Sequence, residues 1–137
     1  MDKIIGLILP SRMKHLYCYI TLISLILLCG CSEKPKLDGF NSDVWKNDKK
    51  ACSEKREYMA EKIFEQTTKL KGIDDDDIIE LFGKPETSNW ESRGKKSFSY
   101  YITPGSQCDS SLVLEGAKIV FEFDALGRVS LVTEEKF

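Results

Sequence analysis

Residues 119–134 read IVFEFDALGRVSLVTE, and this stretch decides the fold class. Ile119, Phe121 and Phe123 alternate with Val120, Glu122 and Asp124. After a turn spanning Asp124 to Gly127 the alternation resumes, with Val129, Leu131 and Thr133 set against Ser130, Val132 and Glu134. A period of two on both sides of a glycine-containing turn predicts an antiparallel hairpin with one face toward a core. Working back along the chain, Phe98, Tyr100 and Ile102 alternate with Ser97, Ser99 and Tyr101 until Pro104-Gly105 stops the run. That is a further strand, and Trp90 marks a possible earlier one. The sheet is therefore predicted to have three or four strands.

Upstream the period changes. No Pro or Gly interrupts Val44 to Lys71, and Trp45, Cys52, Met59, Ile63, Gln66 and Leu70 follow one another at intervals of 7, 7, 4, 3 and 4. Such spacing lines up one helical face, with Lys49, Lys50, Glu54, Lys55, Glu61 and Lys62 on the rest. It predicts one long amphipathic helix that ends at Gly72 and puts Cys52 on the buried side. A second, short helix starts at Asp74, an N-cap residue type. Asp75, Asp76 and Asp77 complement the dipole of its first turn, Ile78, Ile79, Leu81 and Phe82 supply its apolar side, and Gly83 with Pro85 ends it. The aspartates do not make a calcium loop, because position five is Ile78 and position twelve is Pro85 where oxygen ligands are required. The fold class expected is α+β: two N-terminal helices, one long and one short, packed on a three- or four-stranded antiparallel sheet.

The N-terminus carries a different signal. Met13-Lys14-His15 opens a basic stretch, and Leu16 to Leu28 is an apolar run of 13 residues. That is the length of a signal-peptide core and is short of a membrane-spanning helix. The run ends in Leu28-Cys29-Gly30-Cys31, which resembles the lipobox of bacterial lipoproteins, although a cysteine is an unusual occupant of position 29. The resemblance implies cleavage before Cys31 and lipidation of its sulfur, with two or more acyl chains giving a stable hold on the membrane. Residues 1–30 are then the signal, with Met13 the better start. Residues 31–41, polar with Pro35 and Gly39, form a tether, and residues 42–137 form the domain.

Processing removes the only histidine, His15. The mature chain has no side chain for histidine-based acid–base or nucleophilic catalysis, nor for zinc sites that use histidine. It holds 17 basic and 21 acidic residues, a net charge of −4, which gives no support to nucleic-acid binding. Of the five cysteines, Cys18 and Cys29 fall in the signal and Cys31 takes the lipid. Cys52 and Cys108 remain, an even number in an oxidising compartment, and are expected to form a disulfide; the alternative is two unpaired buried thiols.

The passage Gly72-Ile73-Asp74 through Leu81-Phe82-Gly83-Lys84-Pro85, followed by Tyr100-Tyr101 and by Phe123-Asp124-Ala125-Leu126-Gly127-Arg128-Val129, resembles the SmpA/OmlA (BamE-like) family of small bacterial lipoproteins. The resemblance covers roughly residues 72–132 and implies a role in outer-membrane protein assembly. The first helix is longer than that family leads one to expect, and the Cys52/Cys108 pair is foreign to its pattern. The same layout is shared with small inhibitor domains of the beta-lactamase-inhibitor type, for which the Thr103–Ser111 loop is the natural blocking element. The function expected is a non-catalytic, cofactor-free binding or scaffolding module, lipid-anchored in the envelope and holding another envelope protein. Ser32, which follows the lipid-bearing cysteine, favours the outer membrane, facing the periplasm. Trp90 and Tyr101 are the candidate partner-binding residues, since aromatics concentrate in interface cores, with core packing the alternative for both. Tyr100 shares a face with Phe98 and Ile102 and is assigned to the core. An anchored enzyme without histidine chemistry is the remaining alternative.

Overall fold

The structure is a computed structural model that describes residues 35–90, 94–109 and 115–137, together with Tyr19. Cys31, the Leu28-Cys29-Gly30-Cys31 motif, the remainder of the proposed signal apart from Tyr19, and residues 32–34 of the tether lie outside the described residues.

Alternation along β3 (Ala117–Phe123) sets the position of the core. Ile119, Phe121 and Phe123 are buried on one face. In register with them stand residues of β2 (Lys96–Tyr101), Phe98 opposite Phe121 and Tyr100 opposite Ile119. β1 (Thr87–Trp90) and β4 (Val129–Lys136) complete a four-stranded antiparallel sheet in the order β1-β2-β3-β4. The hairpin turn is built by Asp124, whose Oδ1 accepts from the backbone N–H of Leu126 (2.9 Å) and Arg128 (3.0 Å). Gly127, at φ 78°, supplies the left-handed residue that such a loop needs.

The predicted alternation through β4 fails at one point. Phe123 pairs with Val129 and Glu122 with Leu131, so Ser130 is an extra residue in the ladder. Its hydroxyl donates to the Glu122 carbonyl at 3.1 Å. A one-residue bulge moves every later side chain to the other face. Val129 and Val132 therefore pack on the core, and Leu131, expected inward, is 43% exposed.

Over the core-facing side lie helices α1 (Ser42–Asn47), α2 (Arg56–Glu65), α3 (Thr67–Leu70) and α4 (Asp75–Phe82). The single long helix expected over 44–71 is broken twice. The first break is at Asp48, which is buried and whose carboxylate accepts from the N–H of Ser53 (2.8 Å) and of Lys55 (2.9 Å). A short polar side chain that satisfies nearby backbone donors competes with helix continuation, and here it also puts an anion at the start of α2. Between them a short 3-10 turn, Lys49–Ala51, leads into Cys52, with Lys50, Ala51 and Glu54 all at left-handed φ. Cys52 is consequently exposed rather than buried.

The second break is at Gln66, whose amide bridges to the backbone of Asp38, with Asp38 N–H to Oε1 and Nε2 to the Asp38 carbonyl both at 2.8 Å. This docks part of the expected tether onto the domain. Leu37 is buried, and Phe40 stacks on Trp45 (5.6 Å) and Phe82 (5.0 Å). The folded unit thus includes residues 35–41.

Phe82 at the end of α4 is the centre of the core, with ring contacts to Phe40, Trp45, Tyr100 and Phe121 at 5.0–5.7 Å. These tilted and edge-on arrangements are the favoured geometries of aromatic packing. α4 starts as predicted after Asp74, but the Asp74 side chain caps nothing. Backbone bonds to the hairpin hold that end instead: Gly72 N–H to Val129 O (2.8 Å) and Asp75 N–H to Gly127 O (3.0 Å).

Candidate functional site

Trp90 and Tyr101 are not brought together. Trp90 pairs across the ladder with Lys96 and so shares a face with Phe98 and Tyr100, whereas Tyr101 pairs with Lys118 on the opposite face. Trp90 nevertheless escapes burial, at 74% exposed, because β1 is an edge strand and the core residues do not extend over it. Its one close neighbour of note is Lys96, whose ammonium lies 5.4 Å from its ring and pairs with Asp75. Leu126, 76% exposed, projects from the hairpin turn beyond Phe123, the residue in register with Lys96. Tyr101 is half-buried, with its ring 5.1 Å from Phe137. Of the two sequence candidates, Trp90 alone has the exposure of an interface anchor.

At the other end of β1 the structure builds a polar node that sequence reasoning missed. Extending the β1–β2 register past Thr87–Ser99 sets Pro85 opposite Tyr101, and proline has no N–H to give to a ladder. Side chains take over. Arg56 donates from its guanidinium to the Tyr101 carbonyl (3.1 Å), and Glu86 accepts from the Tyr101 N–H (3.3 Å). The two side chains pair at 3.0 Å while almost wholly buried. Arg56 also donates to the Trp45 carbonyl (3.0 Å) and lies over the Trp45 ring at 4.8 Å. A charge this deep is tolerated because Nε and Nη1 find acceptors and its partner is anionic. Beside it, the Tyr100 hydroxyl donates to the Gly83 carbonyl at 2.8 Å. Burial first, and then the Glu86 carboxylate, push that phenol well above its ordinary range, so it stays a neutral donor.

Around this node opens a cleft of about 410 Å³, rimmed by Lys46, Lys49, Lys50 and Lys84. Phe82 and the Arg56–Glu86 pair form part of its wall. The lysine-rich run at 46–50 was its only mark in the sequence, and there Lys49 and Lys50 read as the solvated side of a helix.

Cys52 and Cys108 are joined, with Cα atoms 5.6 Å apart, within the range a disulfide needs. The bridge ties the 49–52 turn to the loop after β2. Gln107 Nε2 adds bonds to the carbonyls of Lys50 (3.1 Å) and Thr103 (2.9 Å), and Thr103 Oγ1 accepts from Ala117 N–H at 2.7 Å. Up to residue 109 the loop considered as an inhibitory element is thus pinned to the domain; residues 110 and 111 lie outside the described residues. The aspartates of α4 are spread over separate partners, Asp75 on Lys96 and Asp74 on Arg128. Among the described residues no three His, Cys, Asp or Glu side chains gather as a metal site. Comparison of the chain with protein-family models, with curated proteins and with solved structures finds no match.

Proposed function

We propose that the chain is a lipid-anchored lipoprotein of the cell envelope, sited at the outer membrane, whose domain is a non-catalytic module that holds a second envelope protein. The observation that carries the binding role is Trp90, a large aromatic left 74% exposed on an edge strand. Leaving such a side chain in water forgoes about 2–3 kcal/mol of burial, and exposed aromatics of this kind are typical anchors of partner surfaces. The Leu28-Cys29-Gly30-Cys31 motif supports the anchor. The SmpA/OmlA resemblance points to the assembly of outer-membrane proteins as the setting.

Two measurements test this reading. Intact mass of membrane-extracted protein should give a chain starting at Cys31 plus lipid, and Cys31→Ser should accumulate uncut. A photo-crosslinker placed at Trp90 in living cells should capture one dominant envelope protein, with Trp90→Ala weakening its recovery. If the purified domain instead turned over a cell-wall or lipid substrate, and a single carboxylate variant abolished that turnover, the binding reading would be wrong.

A further inference from the structure

Lys46, Lys49, Lys50 and Lys84 surround one concavity in a chain of net charge −2. Lys46 Nζ is held against the Glu80 carbonyl at 2.6 Å. Among the described residues no carboxylate pairs with Lys49, Lys50 or Lys84, and the nearby Glu86 is already engaged by Arg56. Like charges gathered on a concave surface focus a positive potential into it, at a self-repulsion cost that an anionic occupant would relieve.

The backbone of the turn that carries Lys49 and Lys50 is fastened from several sides. Lys50 and Ala51 sit at φ 57° and 59°, backbone that disfavours L-residues by roughly 1–2 kcal/mol each. The turn keeps that shape because the Cys52–Cys108 bridge, Gln107 and Asp48 all fasten it. Strain held in place by surrounding bonds is a feature of binding sites.

The shape of the cleft indicates what enters it. Its Glu86 wall runs directly into β1, the edge strand of the sheet, beside whose outer side no further strand lies among the described residues. β1 (Thr87–Trp90) carries no charged side chain, whereas the opposite edge, β4, carries Glu134, Glu135 and Lys136, charges of the kind that discourage strand addition. We infer that the cleft docks an acidic, extended segment of a partner protein, its carboxylates meeting the lysines and its backbone continuing along the outer edge of β1. This rests on the binding-module reading and names the chemistry of the partner.

The test uses the full, lipid-bearing chain in detergent and a fluorescein-labelled peptide of alternating Glu and Val, with an alternating Lys and Val peptide as control. Anisotropy should show binding of the acidic peptide only, weakening as salt is raised. Lys49→Glu with Lys50→Glu, and separately Lys84→Glu on the other wall, should each weaken it roughly tenfold or more. Lys118→Glu, which matches Lys84→Glu in charge and lies outside the cleft, should leave it unchanged and shows that charge reversal alone is not responsible. Backbone N-methylation of the acidic peptide should abolish binding, and undiminished binding of the methylated peptide would overturn strand addition along β1. Equal affinity for all the lysine variants overturns the proposal. So does cleft-dependent capture on phosphatidylglycerol-containing vesicles without peptide binding, which would assign the cleft to a membrane surface. Peptide binding is read without reference to Trp90 or the anchor, so a failed crosslink at Trp90 with intact peptide binding removes Trp90 as the partner contact and leaves the cleft standing, whereas turnover of a cell-wall or lipid substrate would refute the binding module itself.

Discussion

Replacing Cys52 and Cys108 together by alanine isolates the contribution of the disulfide. Both residues are exposed, so the substitution removes little buried surface, and the effect falls on the unfolded chain. The bridge spans a sequence separation of 56 residues. In the chain-entropy account a loop of that size restricts the unfolded ensemble by about 4 kcal/mol. Domains of this size are stable by only about 5–15 kcal/mol, so the bridge supplies a large share of the total. Urea titration followed by the fluorescence of buried Trp45 reads it directly. With a slope of about 1–3 kcal/mol per molar urea, the midpoint should fall by between about 1.5 and 4 M. The slope itself should rise, because the uncrosslinked chain exposes more surface when unfolded. Wild type in reductant should superimpose on the double variant. A midpoint within about 0.3 M of wild type would refute the argument and show that the bridge does no more than join two loops already held by Gln107.

Arg56→Met should cost about 3–5 kcal/mol, since it strands the Glu86 carboxylate and the Trp45 and Tyr101 carbonyls. Glu86→Gln keeps an acceptor for Arg56 and should cost about 1–3 kcal/mol; equal losses in thermal melts would contradict the assignment of Arg56 as the central donor. Phe82→Ala should cost about 3–5 kcal/mol and move Trp45 emission toward that of a solvated indole, because four aromatic rings lose their common contact. Asp124, through the N–H groups of Arg128 and Leu126, is held below its ordinary carboxyl value of 3.8. Its folded-state value is the lower one, so its contribution is complete above about pH 5 and is lost as pH falls through the folded value. Asp124→Asn should flatten that part of the acid-unfolding profile, and parallel profiles for the two proteins would count against the turn assignment.

The strands were legible because burial on one face imposes a period of two on the residues themselves. Ile119, Phe121 and Phe123 needed no partner to be recognised, nor did the Asp124–Gly127 turn, whose chemistry is local. The bulge at Ser130 was hidden, because an extra residue is visible only against the strand it pairs with. The long helix misled for a related reason. Its apolar spacing was real, and Trp45, Met59, Ile63 and Leu70 are all buried. Periodicity, however, does not record that Asp48 and Gln66 will find backbone partners that break the helix between them.

The cysteine pairing was expected from parity together with an oxidising compartment, and the structure joins Cys52 to Cys108. The site did not follow. Trp90 and Tyr101 are both aromatics near strand ends, and antiparallel register alone sends them to opposite faces of the sheet. The Arg56–Glu86 pair and the lysine cleft join residues from 46 to 86 that share no motif. Local order in this protein is set by interactions between residues a few positions apart, and these leave a periodic trace in the chain. The cleft is set by which surfaces meet once Phe82 has packed beneath Trp45 and Tyr100. Contacts between residues thirty or more positions apart leave no such trace, so the place where the charges converge exists only in the folded molecule.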